Sequence, residues 1–212
     1  MPSPTLTHLT DPTSALLAPT AAVLAESFNP AEDPISGIVY AGIPDLEGFT
    51  ALRFRQRLYD AVERLQVVVA EADGAPGAVM IVNPPGTMDD EPGPTPYSAE
   101  LEAQTPPEVV AARNELGDAL HKFEANAFGN DTYYLSFICT APSARRRGLA
   151  GALIRSLVAQ AEAAGAFVTL TTQSDENVKY YSSFGFRVID RMDIVSRGLP
   201  MPFIAMTNRP AA

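Results

Sequence analysis

Little in this chain could build a covalent or metal-held framework. Its 212 residues include one cysteine and two histidines, so no disulfide can close within it. The usual zinc motifs are missing too: there is no HExxH and no CxxC, and His8 and His121 lie far apart in sequence. A lone thiol fits a reducing, cytoplasmic compartment. Positive charge is scarce. Lys and Arg total 15 against 25 Asp and Glu, for a net charge of -10 and an isoelectric point near 4.6. That balance repels nucleic acid and anionic lipid at long range and favours a cationic amine as partner. Long apolar runs are absent as well: Pro, Gly or charge interrupts each one before the roughly 18 residues of a membrane span. The opening MPSPTLTHLTDPTSALL lacks the basic region and apolar run of an export signal, so neither export nor organelle import is expected. Three catalytic signatures are missing: the GxSxG elbow of serine hydrolases, the Gly-Lys-Ser/Thr end of a P-loop, and the dinucleotide fingerprint GxGxxG.

What is present suits a globular protein. Hydrophobic residues make up 46% and the mean hydropathy is +0.02, consistent with one compact domain over residues 1–212 that can bury a sizeable core. Leu17, Ala21, Leu24 and Phe28 fall at helical spacing, and Pro19 fits only near a first turn, predicting a helix over 19–28. After a loop with Asp33, Pro34 and Gly37, the pattern returns in Leu52, Leu58, Val62 and Leu65, a helix over 50–65. Residues 67–71 and 78–82 read as strands of a hairpin turned at Asp73-Gly74. Residues 83–107, with five prolines between Pro84 and Pro96 and the acidic run Asp89-Asp90-Glu91, read as a long irregular loop. A solvated loop is the simplest reading of that acidic run, attraction of a cationic amine the alternative. Val109, Leu116, Leu120, Phe123 and Ala127 place a helix over 107–128. The last third alternates: strand 133–140, helix 149–164, strand 167–172, short helix 177–184, strand 186–194. A βαβ unit inside a mixed sheet follows.

The chemistry concentrates in TAPSARRRGLAGALI, residues 140–154, where a strand gives way to an amphipathic helix. A helix's first turn offers unpaired N–H groups and the positive end of its dipole, which suits an anion such as a pyrophosphate. Gly148, Ala150 and Gly151 let phosphate approach the backbone, and Leu149 begins the helix. Arg145, Arg146 and Arg147 invert the sign of an otherwise acidic protein. Alone, the pattern would equally describe a solvated basic cap. Downstream stands a second motif, NVKYYSSFGF, residues 177–186.

Together these resemble the GNAT N-acetyltransferases, whose acetyl-CoA motif is a strand, then Gln/Arg-x-x-Gly-x-Gly/Ala, then a helix. Arg145, Gly148 and Ala150 fill its defining positions, with Ala150 where Gly is frequent. Asn177, Tyr180, Tyr181, Gly185 and Phe186 follow the order of the family's next motif. Residues 199–210 are similar to its last strand, and the hairpin with Asn83-Pro84-Pro85-Gly86-Thr87 is similar to a subgroup containing puromycin-type acetyltransferases. The likeness is specific over about residues 133–194 and diffuse before residue 67.

The resemblance implies a mixed, mostly antiparallel α/β sheet flanked by helices around a central βαβ unit. It also implies transfer of acetyl from acetyl-CoA to a small-molecule primary amine by direct attack in a ternary complex, with no metal, in a monomer or homodimer. Protein lysine or N-terminal acetylation, and a non-catalytic acyl-CoA-binding module, are the alternatives. By the same resemblance, the main chain of Ile138, Cys139 and Thr140 would hold the pantetheine arm. The turn Arg145, Arg146, Arg147, Gly148, Leu149, Ala150 and Gly151 would hold pyrophosphate, with Asn177 a further coenzyme contact.

Acyl transfer needs a neutral amine, a stabilised oxyanion and a proton for the departing thiolate, whose pKa should be about 8.5. Tyr181 holds the family position for that acid, while Tyr180 is expected to face the core. The general base stays open among Tyr134, Ser136, Asp131, Glu26 and Asp33, with water relays as the other route. Cys139, a lone cysteine among Phe137 and Ile138 with no basic partner nearby, reads as a buried small hydrophobe.

Overall fold

In a computed structural model, residues 4–31, 33–88, 93–129 and 131–210 are described. The acidic run Asp89-Asp90-Glu91 lies outside them. One seven-stranded sheet organises the chain, in the order β1-β2-β3-β4-β5-β7-β6. Its strands are β1 (Leu6–His8), β2 (Gln66–Ala72), β3 (Ala75–Asn83), β4 (Thr132–Thr140), β5 (Phe167–Thr172), β6 (Arg187–Ser196) and β7 (Leu199–Thr207). Only β4 and β5 pair in parallel; the other neighbours are antiparallel. The mixed, mostly antiparallel sheet expected from the sequence is therefore observed.

Seven helices connect the strands among the described residues: α1 (Leu17–Ser27), α2 (Pro34–Val39), α3 (Leu46–Arg64), α4 (Ser98–Gln104), α5 (Pro107–Ala127), α6 (Leu149–Ala163) and α7 (Asp175–Ser182). Consecutive residues of β2 and β3 are buried, so both faces of these strands are covered. The helices packed against them are α6 together with α1 and α3. Helix α6 buries Leu149, Leu153, Ile154 and Leu157, each worth roughly 1.5–3 kcal/mol against exposure.

Three expectations change. The segment around Asp33 holds a helix: the Asp33 carboxylate caps α2 by accepting the Ser36 N–H at 3.1 Å, and Pro34 sits where its missing N–H costs nothing. The stretch over 83–107 is not wholly irregular, because α4 forms within it and buries Leu101. Its single buried side chain gives no 3.6-residue pattern to read. Strand β1 has three residues, too few for periodicity, and is held by pairing with β2. The β2–β3 turn matches expectation, with Asp73 and Gly74 both left-handed at φ 55° and 80°, the geometry of a two-residue hairpin.

Candidate active site

The parallel pair β4–β5 is short. Pairing covers Thr132↔Phe167, Tyr133↔Val168 and Tyr134↔Thr169, and then stops. A shift in the β3–β4 register between Ile81 and Val82 leaves Ser136 as an extra residue on β4, and such a bulge bends its strand. Beyond it, β4 stays with β3 while β5 stays with β7, and a gap opens at the C-terminal ends of the two parallel strands.

The gap exposes main-chain groups. On the β3 side, the Ala141 N–H donates to the Gly77 carbonyl at 2.9 Å. Because successive strand residues turn their N–H and C=O to opposite edges, those of Ile138 and Thr140 face the side that β5 has vacated. The Thr140 carbonyl accepts the Ser27 hydroxyl at 3.3 Å.

Above this edge the chain passes through a 3-10 turn, Pro142–Ala144, into α6. Gly148 at its N-cap is left-handed at φ 80°, no side chain caps the helix, and the Ala152 N–H is the first to bond back, to the Gly148 carbonyl at 3.0 Å. The earlier N–H groups of Leu149, Ala150 and Gly151 thus stand ready for an anion. Arg146 is left-handed as well, at φ 62°. The three arginines divide: Arg147 makes a bidentate pair with Asp73 of the β2–β3 turn at 2.7 and 2.9 Å, whereas Arg145 and Arg146 are exposed and have no ion pair among the described residues. Gly77 explains how the turn sits so close to the sheet. A Cβ there would lie 2.7 Å from Leu149 Cδ1 and 3.2 Å from Ala144 Cβ.

Helix α7 forms the other bank. Ser174 caps it by accepting the Asn177 N–H at 3.1 Å, and the Asn177 amide donates to Thr172 Oγ1 at 3.0 Å, fixing α7 to the end of β5. Tyr181 lies beside Tyr180 and Phe186 at ring separations of 5.7 and 6.0 Å. Burial, with a smaller contribution from Tyr180, pushes its phenol well above the ordinary value, so it keeps its proton at neutral pH. Tyr180 does not face the core as expected but is 41% exposed.

Ile138, Asn177 and Tyr181 border one cavity of about 310 Å³, together with Tyr134, Ser136 and Asp33. That gathers three of the five base candidates. The other two fall elsewhere: Asp131 pairs with Arg209 at 3.0 Å, and Glu26 is exposed and borders no cavity described here. Ser136 Oγ donates to the Ile81 carbonyl at 3.1 Å. The Cys139 thiol donates toward the Val23 carbonyl at 3.8 Å, and burial pushes its pKa up to about 12.

The sequence reading missed Glu124. This α5 carboxylate is buried and accepts hydrogen bonds from Tyr134, whose hydroxyl lies 2.8 Å from Thr171 Oγ1, and from Thr171 itself at 2.7 Å, where β4 and β5 part. Its position four residues after Leu120, on the apolar stripe of α5, was the available signal. Burial raises its pKa, opposed by the bonds from Tyr134 and Thr171 and by the charge of His121. A carboxyl raised in the folded state stabilises the fold fully below its unfolded pKa and loses that contribution as pH rises through the folded value. Glu124→Gln, which cannot ionise, should therefore gain on the wild type in urea-melt stability between about pH 4 and pH 7; parallel stability curves would contradict this.

Residues 122–207 match the family model of the acetyltransferase (GNAT) domain. No curated protein matches the chain in sequence. Solved structures align over nearly the whole of both chains. A Corynebacterium glutamicum protein described as histone acetyltransferase HPA2 and related acetyltransferase shares 20% identity over 98% of this chain and 97% of its own, with a TM-score of 0.66. The Drosophila melanogaster polyamine N-acetyltransferase, which catalyses formation of N-acetylagmatine, shares 14% over 96% and 99%, with a TM-score of 0.60. A GCN5-related N-acetyltransferase of Rhodopseudomonas palustris shares 15% over 98% and 96%, with a TM-score of 0.57. At such identities the common property is the fold, which is that of the GNAT acetyltransferases.

Proposed function

We propose that this chain is an acetyl-CoA-dependent N-acetyltransferase of the GNAT superfamily, acting on a primary amine of a small molecule by direct attack in a ternary complex. One observation carries the reading. Where β4 parts from β5, Ile138 on the free main-chain edge and Tyr181 border a single cavity, and the same strand leads through the Pro142–Ala144 turn into the uncapped first turn of α6.

Acetyl-CoA fits these residues by the chemistry of its parts, and when bound it supplies the acetyl group as a reactive thioester. The N–H groups of Leu149, Ala150 and Gly151, with the cations of Arg145 and Arg146, suit a pyrophosphate. The Ile138 N–H and C=O can pair with amide groups as a further strand would. An N–H on that edge is also placed to stabilise negative charge on a carbonyl oxygen. Tyr181, held protonated, can give its proton to a departing thiolate. Glu124 is a buried carboxylate behind Tyr134, which lines the cavity, and can take up through that hydroxyl the proton the amine loses.

The cavities, about 310 and 1120 Å³, are of the size that encloses small ligands, which favours a small molecule over a protein lysine. Amine acetylation also accords with the polyamine activity of the Drosophila neighbour. A calorimetric titration with acetyl-CoA tests the proposal. Saturable binding at one site per chain is expected, competed by coenzyme A, and absence of binding would refute the reading.

A further inference from the structure

The larger cavity is lined in part by Arg53, Arg57, Arg113 and the rings of Tyr40, Phe54 and Phe137. It adjoins the smaller one: Arg53, Arg113, Tyr40, Phe54 and Phe137 border both. An acceptor reaching the gap beside Ile138 and Tyr181 would therefore have three guanidinium groups along its body. In a chain of net charge -10, that is a marked local reversal.

Two of these arginines, Arg53 and Arg57, are incompletely satisfied. Arg53 and Arg57 stand four residues apart on α3, a spacing at which like charges repel, and the buried Nε of each has no hydrogen-bond partner. The guanidinium of Arg53 lies over the rings of Tyr40 and Phe54, 4.5 and 4.3 Å from their centroids, with long bonds to the Tyr40 and Ser36 hydroxyls at 3.4 and 3.3 Å. Arg57 lies over Phe137 at 5.4 Å and makes no ion pair among the described residues; burial pushes its pKa down. The nearby carboxylate, Asp60, is already engaged, by Arg64 at 2.6 Å and by the Gly93 N–H at 3.1 Å. Glu102, also on the lining, is exposed. Buried cations whose donors lack acceptors are costly unless a counter-charge arrives.

We propose that the acceptor amine carries a carboxylate, held by Arg53, Arg57 and Arg113, and an apolar body lying against Tyr40, Phe54 and Phe137. This rests on the acetyltransferase reading and narrows its substrate class. The planar guanidinium fork matches a carboxylate, and a carboxylate monoanion is penalised less by aromatic walls than a phosphate dianion. A polyamine would meet three like charges in the same cavity, so the chain's overall acidity does not describe its acceptor site.

The test measures acetylation of aromatic aminocarboxylates of graded length, their carboxamides, spermidine and phosphoethanolamine, by wild type and by Arg53→Met, Arg57→Met and Arg113→Met. Carboxylates should exceed their carboxamides in kcat/KM by roughly tenfold to a hundredfold. The arginine variants should erase most of that margin while leaving calorimetric acetyl-CoA affinity intact. Equal use of carboxamides, preference for spermidine or phosphoethanolamine, or variants that depress carboxylate and carboxamide alike would overturn the proposal. If acetyl-CoA does not bind at all, the acetyltransferase reading fails first. Direct calorimetric binding of the aminocarboxylates still decides the carboxylate site: its loss in Arg113→Met, a change at an exposed α5 residue, supports it, and its absence in wild type overturns it.

Discussion

Replacing Tyr181 with Phe should lower kcat by more than about tenfold, toward the 10²-fold at the lower end of what a positioned general acid contributes, with acetyl-CoA affinity nearly unchanged. The ring is held by Tyr180 and Phe186, contacts that phenylalanine retains. The hydroxyl makes no hydrogen bond among the described residues, so its removal orphans no buried partner and stability should move by less than about 0.5 kcal/mol. What is lost is a proton donor. With its phenol pushed up chiefly by burial, Tyr181 stays protonated across the working range, while a thiol of pKa about 8.5 is a competent leaving group in part without help; that moderates the expected loss. An unchanged kcat in the variant would remove Tyr181 from the mechanism.

Gly77→Val should damage stability and coenzyme binding together. Gly77 occupies the irregular step of β3, where pairing jumps from Ala70↔Ala78 to Glu71↔Pro76. A Cβ there would meet Leu149 Cδ1 at 2.7 Å, Ala72 Cβ at 3.0 Å and Ala144 Cβ at 3.2 Å. The Leu149 methyl can swing aside, but the two alanine Cβ atoms move only with their backbones, and valine adds two methyls to the conflict. Overpacking of this kind costs about 1–3 kcal/mol, a fall in Tm of roughly 2–4 °C per kcal/mol at this chain length. The atoms displaced belong to the first residue of α6 and to the turn before it, so acetyl-CoA affinity should fall as well. Wild-type Tm with wild-type affinity would show that the turn does not lean on Gly77.

Which features could be read from the sequence follows from the range of the forces involved. Helices α1, α3, α5 and α6 and strands β2 to β5 announce themselves through periodic apolar residues or apolar runs, because burial on one face or two is written locally. The turn after β4 was legible because Gly148 and the arginines are contiguous, and Asn177 and Tyr181 because their spacing repeats a family motif. Helix α2 was hidden because its stability comes from one cap, Asp33, and one favourable proline, and α4 because it buries only Leu101. The proposed acceptor side was hidden for a different reason. Arg53 and Arg57 look like an ordinary polar face of α3 until Tyr40 comes against the first and Phe137, from a distant strand, against the second. Glu124 gains its environment from Tyr134 and Thr171, on two strands that meet only in the fold. Net charge could not reveal the arginines, since a sum over the chain says nothing of one cavity.

The central claim is acetyl transfer from coenzyme to amine, and it is tested most directly by incubating the chain with acetyl-CoA and the amine panel while following free thiol and product mass together. Thiol release is expected in one-to-one ratio with an acetylated amine, fastest for an aromatic aminocarboxylate and slowed in Tyr181→Phe. Binding of acetyl-CoA with no acetylated amine at any acceptor, and no thiol released, would contradict it and leave a coenzyme-binding module instead of an enzyme.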